Sequence, residues 1–281
     1  MEMLKGRLAV QRTLYPREIT EASRSALLEL GIALRQYHDD IVLTGGWAPY
    51  YLTKDYFQHC GSMDIDLALK TEIMPRYKNI RDILESLGYV EENPFRFKRT
   101  IRSHIDGKDY NIELDLLCER AGAQYVNGLC EVQEALKACV FDGVSLAFDF
   151  NFEQEIEAYL PNDGISKATV KVTDLVGSLA LKGNALFNRG KPKDSYDIFA
   201  LTHYNGGPTQ AVEYFNSCLR RKQISVANVE FIKIAIARIA YGFQSENHRG
   251  PFEVEAFSEY RYKRNIVAAY VNEFLKGLKP I

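Results

Sequence analysis

The sequence predicts an α+β protein, with a mixed sheet flanked by helices in its first half and a C-terminal helical bundle after it. Two observations carry this reading. Before residue 120, short apolar runs alternate with polar residues at the two-residue period of strands and are separated by glycine-containing turns. After residue 172, apolar residues recur three and four apart in segment after segment, the spacing of helices that bury one face. The 281 residues, 46% of them hydrophobic, suffice to fill the cores of two modest domains. The expected division is a catalytic-type sheet domain over 1–160 and a helical domain over 161–281.

The elements follow in order. Residues 16–36 place Ala22, Leu27, Leu28, Leu30, Ile32 and Leu34 on one helical face. A strand over 41–44 then runs into Gly45-Gly46, a short helix over 48–52 and a strand over 63–69. A helix is expected over 75–87, with Pro75 in its first turn and Gly88 as its stop. The run FRFKRTIRSHI alternates over 95–105, Asp106-Gly107 supplies a turn, and YNIELDLLC returns over 110–118, which together make a hairpin. On that hairpin Arg96, Lys98 and Arg102 read as a wet face. Between 120 and 163 the pattern is least distinct: a helix over 131–138, a strand over 144–148 and a transition at 160–164 are expected. Helical segments follow over 172–188, 194–204, 209–222, 227–243 and 262–278. Phe257, Tyr260 and Tyr262 read as bundle core rather than as a stacking platform.

Composition narrows the class. The opening residues mix charge throughout, unlike a secretory leader, and no apolar run approaches the roughly 18 residues of a membrane span. Five scattered cysteines, with no close pair, suggest neither a zinc site nor a disulfide framework, so a reducing cytoplasm is expected. His38, His59, His104, His203 and His248 show no metal-ligand spacing. The net charge of −2 hides an asymmetry: through Leu160 there are 18 basic and 26 acidic residues, and after it 17 and 11. An acidic half suited to metal and a basic half suited to polyphosphate or nucleic acid would have this pattern.

The chemistry-bearing stretch is residues 41–70. Asp64 and Asp66 are two apart on a strand, so both carboxylates point to one face and invite a cation. The Gly45-Gly46 turn, between a strand and a helix, offers backbone N–H groups to a phosphate. On the later strand Glu113 and Asp115 share a face, and Asp115, framed by Leu114 and Leu116, is the better third carboxylate. Mg²⁺ takes one or two carboxylates with phosphate oxygens and water, as phosphoryl transfer requires. Lys182 and Arg189, seven apart, lie close to one helical face from which they can reach phosphates. Asp194 and Asp197 stand near the start of the next helix, where they can cap it, hold Lys182 or Arg189, or take part in chemistry.

The order strand, Gly-Gly, helix, Ser62-x-Asp64-Ile65-Asp66, then Leu114-Asp115-Leu116 resembles the DNA polymerase β-type nucleotidyltransferase superfamily. Lys182 through Arg189, followed by Lys193-Asp194-Ser195-Tyr196-Asp197-Ile198, is similar to the corresponding segments of AbiEii/AbiGii toxin-like nucleotidyltransferases. The resemblance implies a nucleotidyltransferase-fold sheet and a helical domain that closes the nucleotide cleft. It also implies Mg²⁺ or Mn²⁺ on Asp64, Asp66 and Asp115, and contacts to the NTP from Gly45, Gly46, Ser62, Lys182, Arg189 and Asp197. The catalytic group it implies is Asp64, Asp66, Asp115, Lys182 and Asp194. The acceptor would be a tRNA or a protein, and an antitoxin would be a partner. An antibiotic-modifying nucleotidyltransferase and a non-catalytic nucleotide- or partner-binding protein are the competing readings.

Overall fold

The computed structural model describes residues 15–120, 125–221 and 224–280. The N-terminal charge pattern and the end of the helical segment 209–222 fall outside these residues in part. The chain forms two compact units. One, the sheet unit, comprises residues 17–48 and 60–173; the other, the helical unit, comprises residues 49–59 and 174–280 together with 15–16.

The sheet unit opens with α1 (Arg17–Ala33), β1 (Ile41–Thr44) and the start of α2 (Trp47–Thr53), which continues into the helical unit. Then come β2 (Ile65–Leu69), α3 (Ile80–Ser86), β3 (Val90–Asn93), β4 (Arg96–Arg102), β5 (Asp109–Cys118), β6 (Tyr125–Val126), β7 (Leu129–Gln133) and β8 (Leu136–Val140). A short helix α4 (Leu146–Asp149) and the long hairpin β9 (Asn151–Tyr159) and β10 (Ile165–Thr173) complete it. The strands form one mixed sheet in the order β6-β7-β8-β5-β2-β1-β10-β9, with β4 on the first half of β5 and β3 beyond it. β5 runs parallel to β2 and β8, and β1 runs antiparallel to β2 and parallel to β10.

Side-chain alternation assigns the two faces. Leu43 and Leu67 face the α1 side, where Leu27, Leu30 and Leu34 meet them. Gly31 brings the helix down onto β10, because a Cβ there would lie 2.8 Å from Val170 Cγ1. On the opposite face Val42 and Ala68 pack with Val144 and Ala147 around α4, and Leu117 joins them. Full burial of each larger aliphatic contributes roughly 1.5–3 kcal/mol, enough to forbid a one-residue slip of any central strand. That register places Thr44, Asp66 and Asp115 on the α4 face.

Three expectations in this unit are corrected. Residues 131–138 form the β7–β8 hairpin, not a helix; Ala135 turns it with a φ of 58°, and Cys130, Val132, Leu136 and Ala138 are buried, so packing overrides the helix preference of Glu, Ala, Leu and Lys. Residues 144–148 lie mostly in α4 rather than in a strand. The helix expected from Pro75 begins only at Ile80, because the preceding loop is pinned to Tyr37, whose hydroxyl donates to Lys78 O at 2.7 Å and accepts from Arg76 N. The division expected at residue 160 falls in the turn of the β9–β10 hairpin, and the sheet unit extends to Thr173 because β10 pairs with β1.

The helical unit holds α5 (Leu175–Ala185), α6 (Pro192–Leu201), α7 (Pro208–Arg221), α8 (Val226–Gly242), α9 (Arg249–Phe257) and α10 (Arg264–Gly277). Asp174 caps α5 by accepting from the N–H groups of Val176 and Gly177, and Ser225 caps α8 through Asn228 N. Such caps contribute about 1 kcal/mol each. Gly183 permits α5 to touch α8, since a Cβ would sit 2.7 Å from Ala235 O. Of the three late aromatics, Phe257 is fully buried, Tyr262 stacks on Phe57 with centroids 5.2 Å apart, and Tyr260 is exposed. The segment that forms α9 has no counterpart among the predicted helices, because its Gly250-Pro251 pair reads as a turn.

Candidate functional site

In the sheet unit, the candidate residues lie on neighbouring strands. Thr44 of β1 pairs in register with Asp66 of β2, Asp66 with Asp115 of β5, and Asp115 with Arg96 of β4. A lateral row across four strands results, and Asp64 stands in the bend just before β2, which begins at Ile65 rather than at Met63 as expected. Ser62, fully buried, donates its hydroxyl to Asp64 Oδ1 at 2.5 Å and so orients that carboxylate. Gly45 has a φ of 64°, and a Cβ added to it would lie 1.8 Å from Asp66 Oδ2. Only glycine fits that turn, both for its left-handed backbone and for the carboxylate lying against its Cα.

Asp115 is engaged differently. Arg96 donates Nε to its Oδ1 at 2.6 Å and Nη2 to its Oδ2 at 2.7 Å, a bidentate fork, and the third guanidinium nitrogen reaches Glu113 Oε2 at 3.0 Å. Hydrogen bonding to Asp115, together with the charges of Asp115 and Glu113, raises the guanidinium's pKa against the cost of its burial. Among the described residues no group of three or more His, Cys, Asp or Glu side chains is gathered as a metal ion would need. Asp66 and Asp115 of the expected trio share one face, but Arg96 takes both oxygens of Asp115. Asp64 and Asp66 remain as the pair whose chemistry suits Mg²⁺.

Arg96 is the residue that the sequence reading missed here, although hairpin register could have found it. Pairing Arg102 with Asp109 across the Asp106-Gly107 turn carries Arg96 opposite Asp115.

The second set of candidates lies in the helical unit and forms a buried ion cluster. Lys182 Nζ is 3.1 Å from Asp194 Oδ1 and 2.6 Å from Asp197 Oδ2. Lys193 Nζ lies 3.0 Å from Asp197 Oδ1, and His59 Nε2 lies 2.9 Å from the same oxygen. Arg189 grips both oxygens of Asp194, at 2.9 and 2.8 Å. The side chains of Asp194 and Asp197 are at most 2% exposed, whereas that of Arg189 is 45% exposed. Asp194 and Asp197 therefore hold Lys182 and Arg189 in place, one of the alternatives that their spacing left open.

Electrostatics explain how so many charges are buried. Burial penalises each carboxylate, but Lys182 and Lys193 outweigh it at Asp197, and Lys182 and Arg189 outweigh it at Asp194; both acids stay below the ordinary carboxylate range. Burial likewise penalises the Lys182 ammonium, and Asp197 and Asp194 hold it above its ordinary value nonetheless. His59 goes the other way. Burial, opposed by its bond to Asp197 and reinforced by Lys193 and Lys182, brings it down to about 4, so it is neutral at pH 7. With His59 neutral, three cations meet two carboxylates. No sequence signal marks His59, because its partner is 138 residues away.

A search of curated proteins gives no significant match. Among solved structures, the CD-NTase CdnG of Bradyrhizobium diazoefficiens in complex with GTP is similar at 12% identity over 92% of this chain and 89% of that one. Its TM-score is 0.23. A family profile described as nucleotidyl transferase AbiEii toxin, Type IV TA system, matches residues 26–259, the greater part of the chain. The chain belongs to the AbiEii nucleotidyltransferase toxin family.

Proposed function

We propose that the protein transfers a nucleoside monophosphate from an NTP to a hydroxyl of an RNA, such as a tRNA, or of a protein, breaking the α–β phosphoanhydride and releasing pyrophosphate, as the toxin of a toxin–antitoxin pair. The observation that carries this reading is the row Asp66–Asp115–Arg96 with Asp64 beside it, one carboxylate oriented by Ser62 and another seated on the Gly45 turn. Asp64 and Asp66 would hold Mg²⁺ or Mn²⁺, which when bound neutralises triphosphate charge. Ser62 keeps Asp64 pointed at that position. The N–H groups of the Gly45-Gly46 turn face phosphate oxygens. Arg96 fixes Asp115, so that Asp115 completes the site as a positioned negative charge beside Asp66. In the helical part, the exposed Arg189 is the cation offered to phosphates, while Lys182, Asp194 and Asp197 hold it as one charged unit.

The test is incubation with each α-labelled NTP, Mg²⁺, total RNA and total protein, beside the Asp64→Ala/Asp66→Ala variant. Label should move to one acceptor class and vanish in the variant. Transfer that survives the double substitution overturns the assigned acids, and NTP binding without transfer to any acceptor overturns the activity.

A further inference from the structure

Beside the ion cluster, the helical unit carries an exposed surface of which the nucleotidyl-transfer reading uses Arg189 alone. The turn from α5 to α6 exposes Phe187, Asn188, Arg189, Gly190 and Lys191 in succession. Phe187 is 37% exposed and lies against Tyr241 of α8, with ring centroids 5.7 Å apart; Tyr241 is itself 67% exposed. Gly242 makes this contact possible, since a Cβ there would lie 2.8 Å from Leu186 Cδ2 and 3.4 Å from Phe187 Cζ. His248 meets Tyr241 edge-on at 6.2 Å. Arg249 places its guanidinium 5.6 Å from the centroid of the Phe187 ring, and a Cβ at Gly190, whose φ is 60°, would come within 3.6 Å of Arg249 Nη2.

The charges on this surface are unbalanced. Arg249 is held by Glu253 at 2.6 Å, and Glu253 also accepts from Ser195 at 2.6 Å, so the fork is fixed in place over the ring. Arg189 is held by Asp194. Arg238, three residues before Tyr241, donates to Asn184 O at 2.7 Å, and among the described residues neither Arg238 nor Lys191 has a carboxylate partner. Arg249 thus lies over one of a pair of exposed aromatic rings, Arg189 and Lys191 follow Phe187 in the same exposed turn, Arg238 precedes Tyr241 by about one helical turn, and the acids that pair with Arg249 and Arg189 are buried. Exposed rings set among fixed cations are what an unpaired nucleotide strand needs: π-faces for bases and positive charge for the phosphates between them. An apolar or acidic protein segment would satisfy only half of this surface.

We infer that Phe187, Tyr241 and Arg249, with Arg189, Lys191 and Arg238 around them, form a binding surface for a single-stranded RNA segment of the acceptor. The inference rests on the reading of the protein as a nucleotidyltransferase with a macromolecular acceptor and narrows that acceptor to RNA with unpaired nucleotides. Tyr241 and Phe187 stack on bases, and the cations follow the backbone. Arg189 joins this surface to the buried cluster through Asp194.

The experiment is fluorescence anisotropy of a labelled, unstructured ten-nucleotide RNA with the full chain, run in parallel with the label-transfer assay. Tyr241→Ala should weaken binding roughly 5- to 100-fold, the range that loss of one stacked base gives, and Tyr241→Trp should restore it. Tyr241 is exposed, so neither variant threatens the fold. The logarithm of affinity should fall with the logarithm of salt concentration, and Lys191→Ala should reduce that slope by about 0.7. Asp64→Ala/Asp66→Ala should bind the RNA as the unmodified chain does, whatever it does to transfer. Unchanged affinity in Tyr241→Ala overturns the inference, as does equal affinity for a duplex of the same sequence. Label transfer to RNA that is unaffected by Tyr241→Ala overturns the surface and leaves the proposed activity standing. Label on protein alone, with no RNA binding, overturns it as well.

Discussion

Asp197→Asn isolates what the buried cluster contributes. The carboxylate is fully buried and is shared by Lys182 at 2.6 Å, Lys193 at 3.0 Å and His59 at 2.9 Å. The amide keeps the shape and removes the charge, so that Lys193 loses its ion pair with Asp197 while Lys182 retains Asp194. Breaking a buried pair by removing one partner costs about 3–5 kcal/mol, because the surviving charge must stay desolvated. For a chain of this size that lowers Tm by about 10 °C. Urea unfolding followed by circular dichroism at 222 nm measures the cost directly. Arg189→Ala is the comparison: its guanidinium is 45% exposed, so its removal should cost less than about 1 kcal/mol in stability while reducing transfer. Adding Lys193→Met to Asp197→Asn removes a buried ammonium that has lost its Asp197 ion pair and should recover at least about 1 kcal/mol. A cost below about 1 kcal/mol for Asp197→Asn, or a double variant less stable than the single one, would refute the reasoning that Asp197 is the cluster's counter-charge.

The same cluster makes stability depend on pH. His59 titrates at about 4 in the folded chain against 6.5 when unfolded, so between those values the unfolded chain binds the extra proton and stability falls as pH falls, by roughly 3 kcal/mol at the bottom of the window. Asp194 and Asp197, held below 3.8, contribute stability that is present above that value and is lost as pH falls further. Tm measured from pH 8 to pH 4.5 should decline across this interval, and His59→Gln should flatten the upper part of the decline. Gly45→Ala should abolish most transfer, because its Cβ displaces the Asp66 carboxylate, with only a few degrees lost from Tm. Gly128→Ala, at a φ of 80° with nothing within 4 Å of the added Cβ, is the control that carries the backbone cost alone. Cys118 is buried, and burial together with Cys130 pushes its thiol up to about 12. Iodoacetamide at pH 8 should therefore leave it unmodified in the native chain while the partly exposed Cys60 and Cys218 react, as read by mass spectrometry of the digest.

What could be read from the sequence alone divides along physical lines. The strand at Ile41–Thr44, the Gly45 turn, the strand with Asp66 and the β4–β5 hairpin were legible because each depends on alternation or turn chemistry within about ten residues. The helices at Leu175–Ala185, Pro192–Leu201 and Val226–Gly242 were legible for the same local reason. The β7–β8 hairpin was not. Its residues favour a helix in isolation, and only the pairing of β8 with β5, over twenty residues away, decides otherwise. The β9–β10 hairpin was missed because its strands alternate charged residues with small or weakly apolar ones, so the period-two signal lacks contrast until β10 finds β1.

The candidate residues divide in the same way, which bears on how their roles are to be assigned. The strand that carries Asp66 was legible from local alternation, whereas Asp115 stands beside Asp66 through a parallel pairing that no local signal reports. Spacing could place Lys182 and Arg189 near one helical face, but it could not say that one ends in a buried cage and the other reaches solvent. That difference changes the chemistry expected of each. Lys182, buried between two carboxylates, would give up two desolvated charge contacts to reach a phosphate, whereas Arg189 can turn outward while Asp194 keeps Lys182 as its partner. Substitution at Lys182 should therefore act first on stability and on the position of Arg189, and substitution at Arg189 should act on nucleotide or acceptor affinity with the fold intact. Measuring both effects on both variants separates a cation that holds the site together from a cation that touches what the site binds.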